Sequence, residues 1–149
     1  MKKVFFVSLI CLFSLTSAFA NDRDIRLNQL FNELKVNKAK VAAIVEQEIW
    51  YLWSTHPTDE KLTARFEEGS MFIRNQQPKR AREIFTEVIK LDENWAEAWN
   101  KRATVLYMLG EFQKSQDDID KVLELEPRHF GALAGQGLVN IQLDRKSVV

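Results

Sequence analysis

The sequence predicts an all-α protein organised as a stack of helix hairpins, and three observations carry that expectation. Apolar and small residues recur every 34 residues. Each period reads as two helical patterns separated by turn residues. No Gly/Ser-rich or Pro-rich linker and no low-complexity run interrupts the 149 residues, so one compact helical body is expected rather than a tethered pair.

The period is clearest from Ala96 to His129. Trp99, Ala103 and Leu106 belong to a first helical pattern, and Phe112, Ser115, Ile119, Val122 and Leu125 to a second. Gly110 suits the left-handed backbone that ends a helix, and Pro127, lacking an N–H, cannot continue the second one. Small Ala103 and Ser115 sit where two backbones must approach closely. The same positions recur in register: Gly69, Ala103 and Gly137; Ala81 and Ser115; Phe85 and Ile119; Val88 and Val122; Leu91 and Leu125.

These residues resemble the tetratricopeptide repeat, whose consensus has an aromatic at position four, small residues at eight and twenty, an aliphatic or aromatic at twenty-four and Pro at thirty-two. Trp99, Ala103, Ser115, Ile119 and Pro127 match in one unit, and Gly69, Ala81 and Phe85 in the unit before. Arg65 stands where the aromatic belongs, Val88 and Val122 replace an Ala, and Glu93 replaces the Pro. The resemblance covers somewhat over half the chain and implies a right-handed α-solenoid within residues 58–143. Residues 62–95 form a divergent repeat, 96–129 a clear one and 130–143 the first helix of a third, truncated one.

Taken in order, Lys2 and Lys3 precede an apolar run from Val4 to Leu15, and Ala18-Phe19-Ala20 supplies small residues before a cut. A secretory signal peptide over residues 1–20, cleaved after Ala20, is expected; the run is short for a membrane span. Asn21 and Asp22 then cap a helix with Ile25, Leu27, Leu30, Phe31 and Leu34 on one stripe. After a turn at Val36-Asn37, a second helix to about Ser54 carries Val41, Ala42, Val45, Ile49, Trp50, Leu52 and Trp53, and is expected to be buried on two sides. Residues 21–57 thus read as an N-terminal capping hairpin, which covers the apolar end of a repeat stack.

Pro57 breaks the helix and the repeats begin. Asn75-Gln76-Gln77-Pro78 turns the first hairpin, with Pro78 in the opening turn of its second helix. Asn94 and Glu97 resemble a capping box. The last six residues, Asp144 to Val149, break the apolar pattern of the third unit and equal what a widely used short-read sequencing adapter encodes in one frame. They are expected to be a non-native tail.

Cys11, the one cysteine, lies inside the signal segment, so the mature chain is expected to have no disulfide, thiolate nucleophile or cysteine metal ligand. Removing Lys2 and Lys3 leaves 19 basic against 21 acidic residues, a formal charge of −2. That balance argues against a nucleic-acid or anionic-membrane surface. His56 and His129 stand alone, without ligand spacing, and no nucleophile-elbow, Walker or GxGxxG motif is present. No cofactor, no metal and no catalysis are expected.

What remains is binding. The resemblance implies a concave groove lined through repeat positions two, five, six, nine, twelve and thirteen of each first helix. The expected protein- or peptide-binding residues are Phe66, Ile73, Arg74, Asn100, Lys101, Thr104, Tyr107 and Met108, with Glu97, Gly131, Gly135, Leu138 and Ile141 among the other groove positions. Tyr107 and Met108 have the alternative of packing on the next helix, and Lys101 of being solvated. The two-carboxylate clamp of one subgroup is absent, because Phe66, Ser70 and Lys101 hold its places. Arg102 either pairs with Asp117 or Asp118 or forms a polar site with Arg128 and His129.

The expected function is therefore that of an exported, periplasmic or secreted, interaction module. The alternative is a structural, self-assembling role through the exposed Leu133, Leu138 and Ile141 of the last helix.

Overall fold

The computed structural model describes residues 22–36 and 39–147, which form seven helices and, among the described residues, no strand. The expected signal segment, the cut after Ala20, and Asn37 of the first turn lie outside them. The helices are α1 (22–36), α2 (Ala39–Ser54), α3 (Glu60–Arg74), α4 (Pro78–Leu91), α5 (Ala96–Met108), α6 (Phe112–Leu125) and α7 (Phe130–Ser147). They fall into two compact units, Met1–Glu60 and Lys61–Val149.

In the first unit, α1 buries Leu27 and Leu30, and α2 buries Val45, Ile49 and Trp53. Phe31 and Trp53 meet at a tilt with centroids 6.0 Å apart, and Trp50 meets Trp53 edge-on at 5.4 Å. The Arg26 guanidinium grips Glu48 through both carboxylate oxygens, at 2.7 and 2.9 Å. That hydrogen bonding raises Arg26 and lowers Glu48 from their ordinary values. The expectation that α2 is buried on two sides is corrected. Its buried residues follow one stripe, and Val41, Ile44 and Tyr51 are exposed. At His56-Pro57 the chain leaves the helix, and His56 Nδ1 accepts the N–H of Asp59 at 2.9 Å, ahead of α3.

The second unit is built from hairpins α3–α4 and α5–α6 followed by α7. Between α3 and α4, Phe66 meets Phe85 edge-on at 5.5 Å and lies against Trp95 at 4.7 Å. Leu62, Ala81, Ile84, Val88, Ile89, Ala98 and Val105 belong to the same core. Arg65, which replaces the aromatic of the clear repeat, stays at the surface and bonds Glu87 across the hairpin and Glu68 on its own helix. A second core joins Ala103, Ile119, Val122, Ala132 and Val139. Ser115 donates its hydroxyl to the Ala103 carbonyl at 2.8 Å, a contact open only to small residues at both places.

The two hairpin turns share one geometry. Gly110 has φ +75°, and the N–H of Glu111 returns to the Leu106 carbonyl at 2.9 Å, satisfying an orphan carbonyl of the helix end. In the unit before, Gln76 occupies the same register with φ 56°, and Gln77 N–H returns to Phe72. Pro78 is in the first turn of α4. One expectation fails locally. No capping box forms at α5, whose N-cap is Trp95 without a side-chain bond. The last helix runs from Phe130 to Ser147.

Gly69 marks the tightest approach in the first hairpin. A Cβ there would lie 2.8 Å from Phe85 Cζ and 3.0 Å from Ile84 Cγ2, both on buried side chains. Glycine inside a helix costs about 1 kcal/mol relative to Ala, but overpacking a filled core costs about 1–3 kcal/mol. Phe85 has no free space to yield, so packing outweighs propensity. Gly69→Ala is therefore expected to lower stability by about 1 kcal/mol net in urea denaturation; an increase would contradict this packing.

Candidate functional site

A cleft of about 80 Å³ opens between α5 and α7. Asn100, Thr104 and Tyr107 border it from α5, and Gly131, Gly135 and Leu138 from α7, while Ala103, Ser115, Ile119 and Val139 form its floor. The glycines make the space. They stand one period after Glu97 and Lys101, so the side chains that occupy these places in the clear repeat are missing in the next. A Cβ on Gly135 would meet only Ile119 Cδ1, at 3.5 Å.

The structure places the expected groove residues unevenly. Asn100, Thr104 and Tyr107 come together at the cleft, with Tyr107 also packed on Phe112 at 5.3 Å and Thr104 donating to the Asn100 carbonyl at 3.0 Å. Lys101 is half-buried and turned toward Glu97. Met108 and Arg74 are exposed and do not border the cleft. Ile73 packs on the first core. Phe66 has to be corrected: it is 2% exposed and belongs to that core, sealed by Phe85 and Trp95, so no partner reaches it.

Beside the cleft lies a buried polar joint. Glu97, expected at the groove surface, is fully buried. Its Oε2 meets His129 Nε2 at 2.8 Å and receives Asn100 Nδ2 at 2.9 Å. His129 Nδ1 accepts the N–H of Ala132 at 3.2 Å, which places the imidazole hydrogen on Nε2 and makes it the donor to Glu97. Lys101 Nζ stands 3.2 Å from Oε1, an ion pair without hydrogen-bond geometry. Burying a carboxylate demands such partners, and here they tie the start of α5 to the start of α7. Sequence reasoning placed His129 between repeats but not its partner, 32 residues earlier. A lone Glu and a lone His at the two ends of one repeat were the available signal.

On the α4–α6 side, Arg102 grips Asp118 through two bonds of 2.8 Å and lies over the Trp99 ring at 4.8 Å. Arg82 and Lys114 both reach Glu111, at 2.8 and 2.6 Å. These cations are matched by carboxylates, so the shallow polar hollow they surround has no unbalanced charge with which to select an ion. Arg102 takes the ion-pair role, with Asp118 rather than Asp117. It shares no site with His129, which holds Glu97, or with Arg128, which grips Glu126.

Glu126, at the end of α6, is the acid-sensitive group of this loop. Burial works against its ionisation, but hydrogen bonds from the Arg128 side chain and backbone N–H, with the nearby charge of Arg128, hold it below the ordinary glutamate value. A folded value below the unfolded one gives stability that is present above about pH 4.3 and lost as pH falls through the folded value. Glu126→Gln is expected to flatten the acid limb of a stability profile by about 1 kcal/mol between about pH 5 and 3, a figure kept small because Arg128 is solvent-screened. An unchanged acid limb would show that this loop does not contribute.

A family model, the tetratricopeptide repeat, matches residues 96–129, which span α5, α6 and the Glu97–His129 joint. A TPR repeat-containing protein of Rhizobium etli is 34% identical over 115 residues, covering 76% of this chain and 56% of that protein. The chain belongs to the tetratricopeptide repeat family. Sperm-associated antigen 1 of Rattus norvegicus is 30% identical over 89 residues, covering 56% of this tetratricopeptide repeat chain and 10% of the relative. The chain thus spans about half the length of the first relative and a tenth of the second. Tetratricopeptide repeats in general mediate protein–protein interaction and are non-catalytic.

Proposed function

We infer that this repeat protein binds an extended segment of a partner protein or peptide in the cleft between α5 and α7 and has no catalytic activity of its own. The observation that supports this reading is the meeting of Asn100, Thr104 and Tyr107 with a glycine-hollowed α7 around one recess, in place of the close packing seen elsewhere in the stack. The polar rim and apolar floor suit orientation by a few hydrogen bonds together with apolar burial. The basic start and small-residue Ala18-Phe19-Ala20 of the first twenty residues support export to the periplasm or beyond. N-terminal sequencing of the protein recovered from its native compartment tests that part, and Asn21 as the first residue is the expected result.

Capture from an extract of that compartment tests the binding. The natural protein is used beside a variant with Asn100, Lys101 and Tyr107 changed to Ala and matched in helicity. A partner held by the first and lost by the second is expected. Identical retention by both would place the binding face elsewhere.

A second reading, self-assembly, is favoured by one observation. Leu133, Leu138 and Ile141 of α7 are exposed, and a Cβ on Gly137 would meet nothing within 4 Å, whereas Gly69 at the same register is pressed by Phe85. Size-exclusion with light scattering over a range of concentrations separates the two, since a constant monomer mass removes the second.

A further inference from the structure

We propose that the buried Glu97–His129 joint is a proton-sensitive latch, which fixes the start of α7 against α5 while His129 is neutral and frees it when the imidazole takes a second proton.

The neutral ring is used at both nitrogens. Nε2 gives its hydrogen to Glu97 Oε2 at 2.8 Å, and Nδ1 receives the N–H of Ala132, in the first turn of α7, at 3.2 Å. The His129 carbonyl also accepts the N–H of Leu133 at 3.0 Å. His129 therefore caps α7 with a ring nitrogen in the place usually taken by a Ser or Asn oxygen. Unlike such an oxygen, this acceptor is lost on protonation: a hydrogen on Nδ1 would face the Ala132 N–H, two donors with no acceptor between them. The new positive charge would also stand at the N-terminus of α7, the end of a helix that disfavours cations.

The surrounding charges are already matched. Glu97, with Lys101 behind it, faces the ring from α5, and Glu126, with Arg128, lies beside it where α6 ends. α7 itself carries no charged residue before Asp144. Lys101 Nζ stands 3.2 Å from Glu97 Oε1, and Arg128 grips Glu126 through two bonds of 2.8 Å. A proton on His129 thus leaves one positive charge in excess, between side chains of Glu97 and His129 that are both fully buried and out of reach of water. The opened joint is solvated and escapes these costs, so it takes the proton more readily and acid favours the opening.

α7 is suited to respond. Gly131, Gly135 and Gly137 make it a weak helix on its own, so the loss of its cap is felt along its first turns. The same turns wall the cleft, and an occupant would lose that wall as the latch opens. Imidazole changes its charge between about pH 5 and 8, above the range in which Glu126, held below the ordinary glutamate value, gives up its own. The two acid responses are therefore separable.

The test is amide exchange of the ¹⁵N-labelled natural protein at about pH 7.5 and about pH 5.5, corrected for the intrinsic effect of pH. Protection in the first turns of α7 is expected to fall about tenfold, the joint weight of one cap and one helix-end charge. Protection of α5 and α6 should change less than about twofold. Nitrogen-15 spectra of the His129 ring should show Nδ1 bare at the higher pH and protonated at the lower, together with loss of the Ala132 hydrogen bond. In His129→Asn the amide oxygen keeps an acceptor for the Ala132 N–H but takes no proton, so α7 should be equally protected at both pH values. His56→Gln should leave the response of α7 intact, because His56 receives the N–H groups of Thr58 and Asp59, in the first unit.

The proposal is overturned if α7 is as protected at the lower pH as at the higher, or if it loosens while Nδ1 stays bare. It is also overturned if Nδ1 already carries a hydrogen at the higher pH, or if His129→Asn loosens in acid as the natural protein does. Should that variant fail to fold, the ring and amide signals of the natural protein decide alone. None of these readings needs a partner in the cleft, so the latch and the binding role stand or fall separately.

Discussion

Truncating Phe66 to Ala is expected to lower the stability of the protein by about 3–5 kcal/mol, the range for removing a large aromatic from a packed core. The ring is 2% exposed, edge-on to Phe85 and tilted against Trp95, so its removal leaves a void bounded by two other rings. Neither neighbour can collapse into it without giving up its own contacts; Phe85 is held against Gly69 on one side and is itself fully buried. Aromatic pairing adds about 0.5–1.5 kcal/mol to the area term, which places the loss toward the upper part of the range. Chemical denaturation monitored by far-ultraviolet circular dichroism reads it directly. A loss below about 1 kcal/mol would mean that the ring is a surface group after all, and would restore it to the groove.

The second large effect is expected at Arg102. Breaking a buried ion pair by removing one partner costs about 3–5 kcal/mol because the other charge is stranded. Here the Arg102 side chain keeps 19% of its exposure, so Arg102→Ala is expected to cost about 2–3 kcal/mol. Asp118 supplies a signature that distinguishes a stranded charge from lost packing on Trp99. Burial already raises its value above that of an ordinary aspartate, against the hydrogen bonds and charge of Arg102. A raised folded value means that ionising Asp118 works against folding: its contribution is most favourable below the unfolded value and is lost as pH rises through the folded one.

Without Arg102 that opposition grows. The deficit of the variant should therefore be largest near neutral pH and narrow toward about pH 4, as Asp118 takes up a proton. Adding Asp118→Asn to Arg102→Ala should recover part of the loss at neutral pH. A deficit that does not vary with pH, and no recovery in the double variant, would assign the effect to the Trp99 contact instead.

Much of the hairpin geometry was legible because it depends on spacing alone. The 34-residue register places small residues where helices approach, as in the Ala103–Ser115 contact and at Gly69, which lies against the Phe85 ring. Gly110 takes positive φ because the turn requires it; Gln76 takes the same conformation at the same register, so the turn follows the repeat more than the residue type.

What was not legible depends on partners distant in sequence. Position five of a repeat held Phe66 and Asn100 alike, yet Trp95 seals the first while the glycines of α7 leave the second beside open space. Glu97 was read against Asn94, three residues away, whereas its carboxylate is claimed by His129 at the far end of the repeat. Asp117 and Asp118 could not be ranked from sequence, because adjacent helical residues point about 100 degrees apart and only the position of α5 decides which one faces Arg102. On α2 the apolar residues outnumber those the hairpin buries, a choice that composition does not reveal.

The glycines that hollow the cleft also bear on how firmly α7 holds its helix. Gly131, Gly135 and Gly137 all lie within α7, and each mid-helix glycine lowers intrinsic helix stability by about 0.5–1 kcal/mol relative to Ala. Among the described residues, none lies within 4 Å of where a Cβ on Gly137 would stand. Its backbone therefore depends on packing against the α5–α6 hairpin, and it is expected to open more readily than the helices of that hairpin. The wall that gives the recess its shape is therefore expected to exchange its amides faster than α5 or α6, and an occupant that fills the hollow should register as slowed amide exchange along α7.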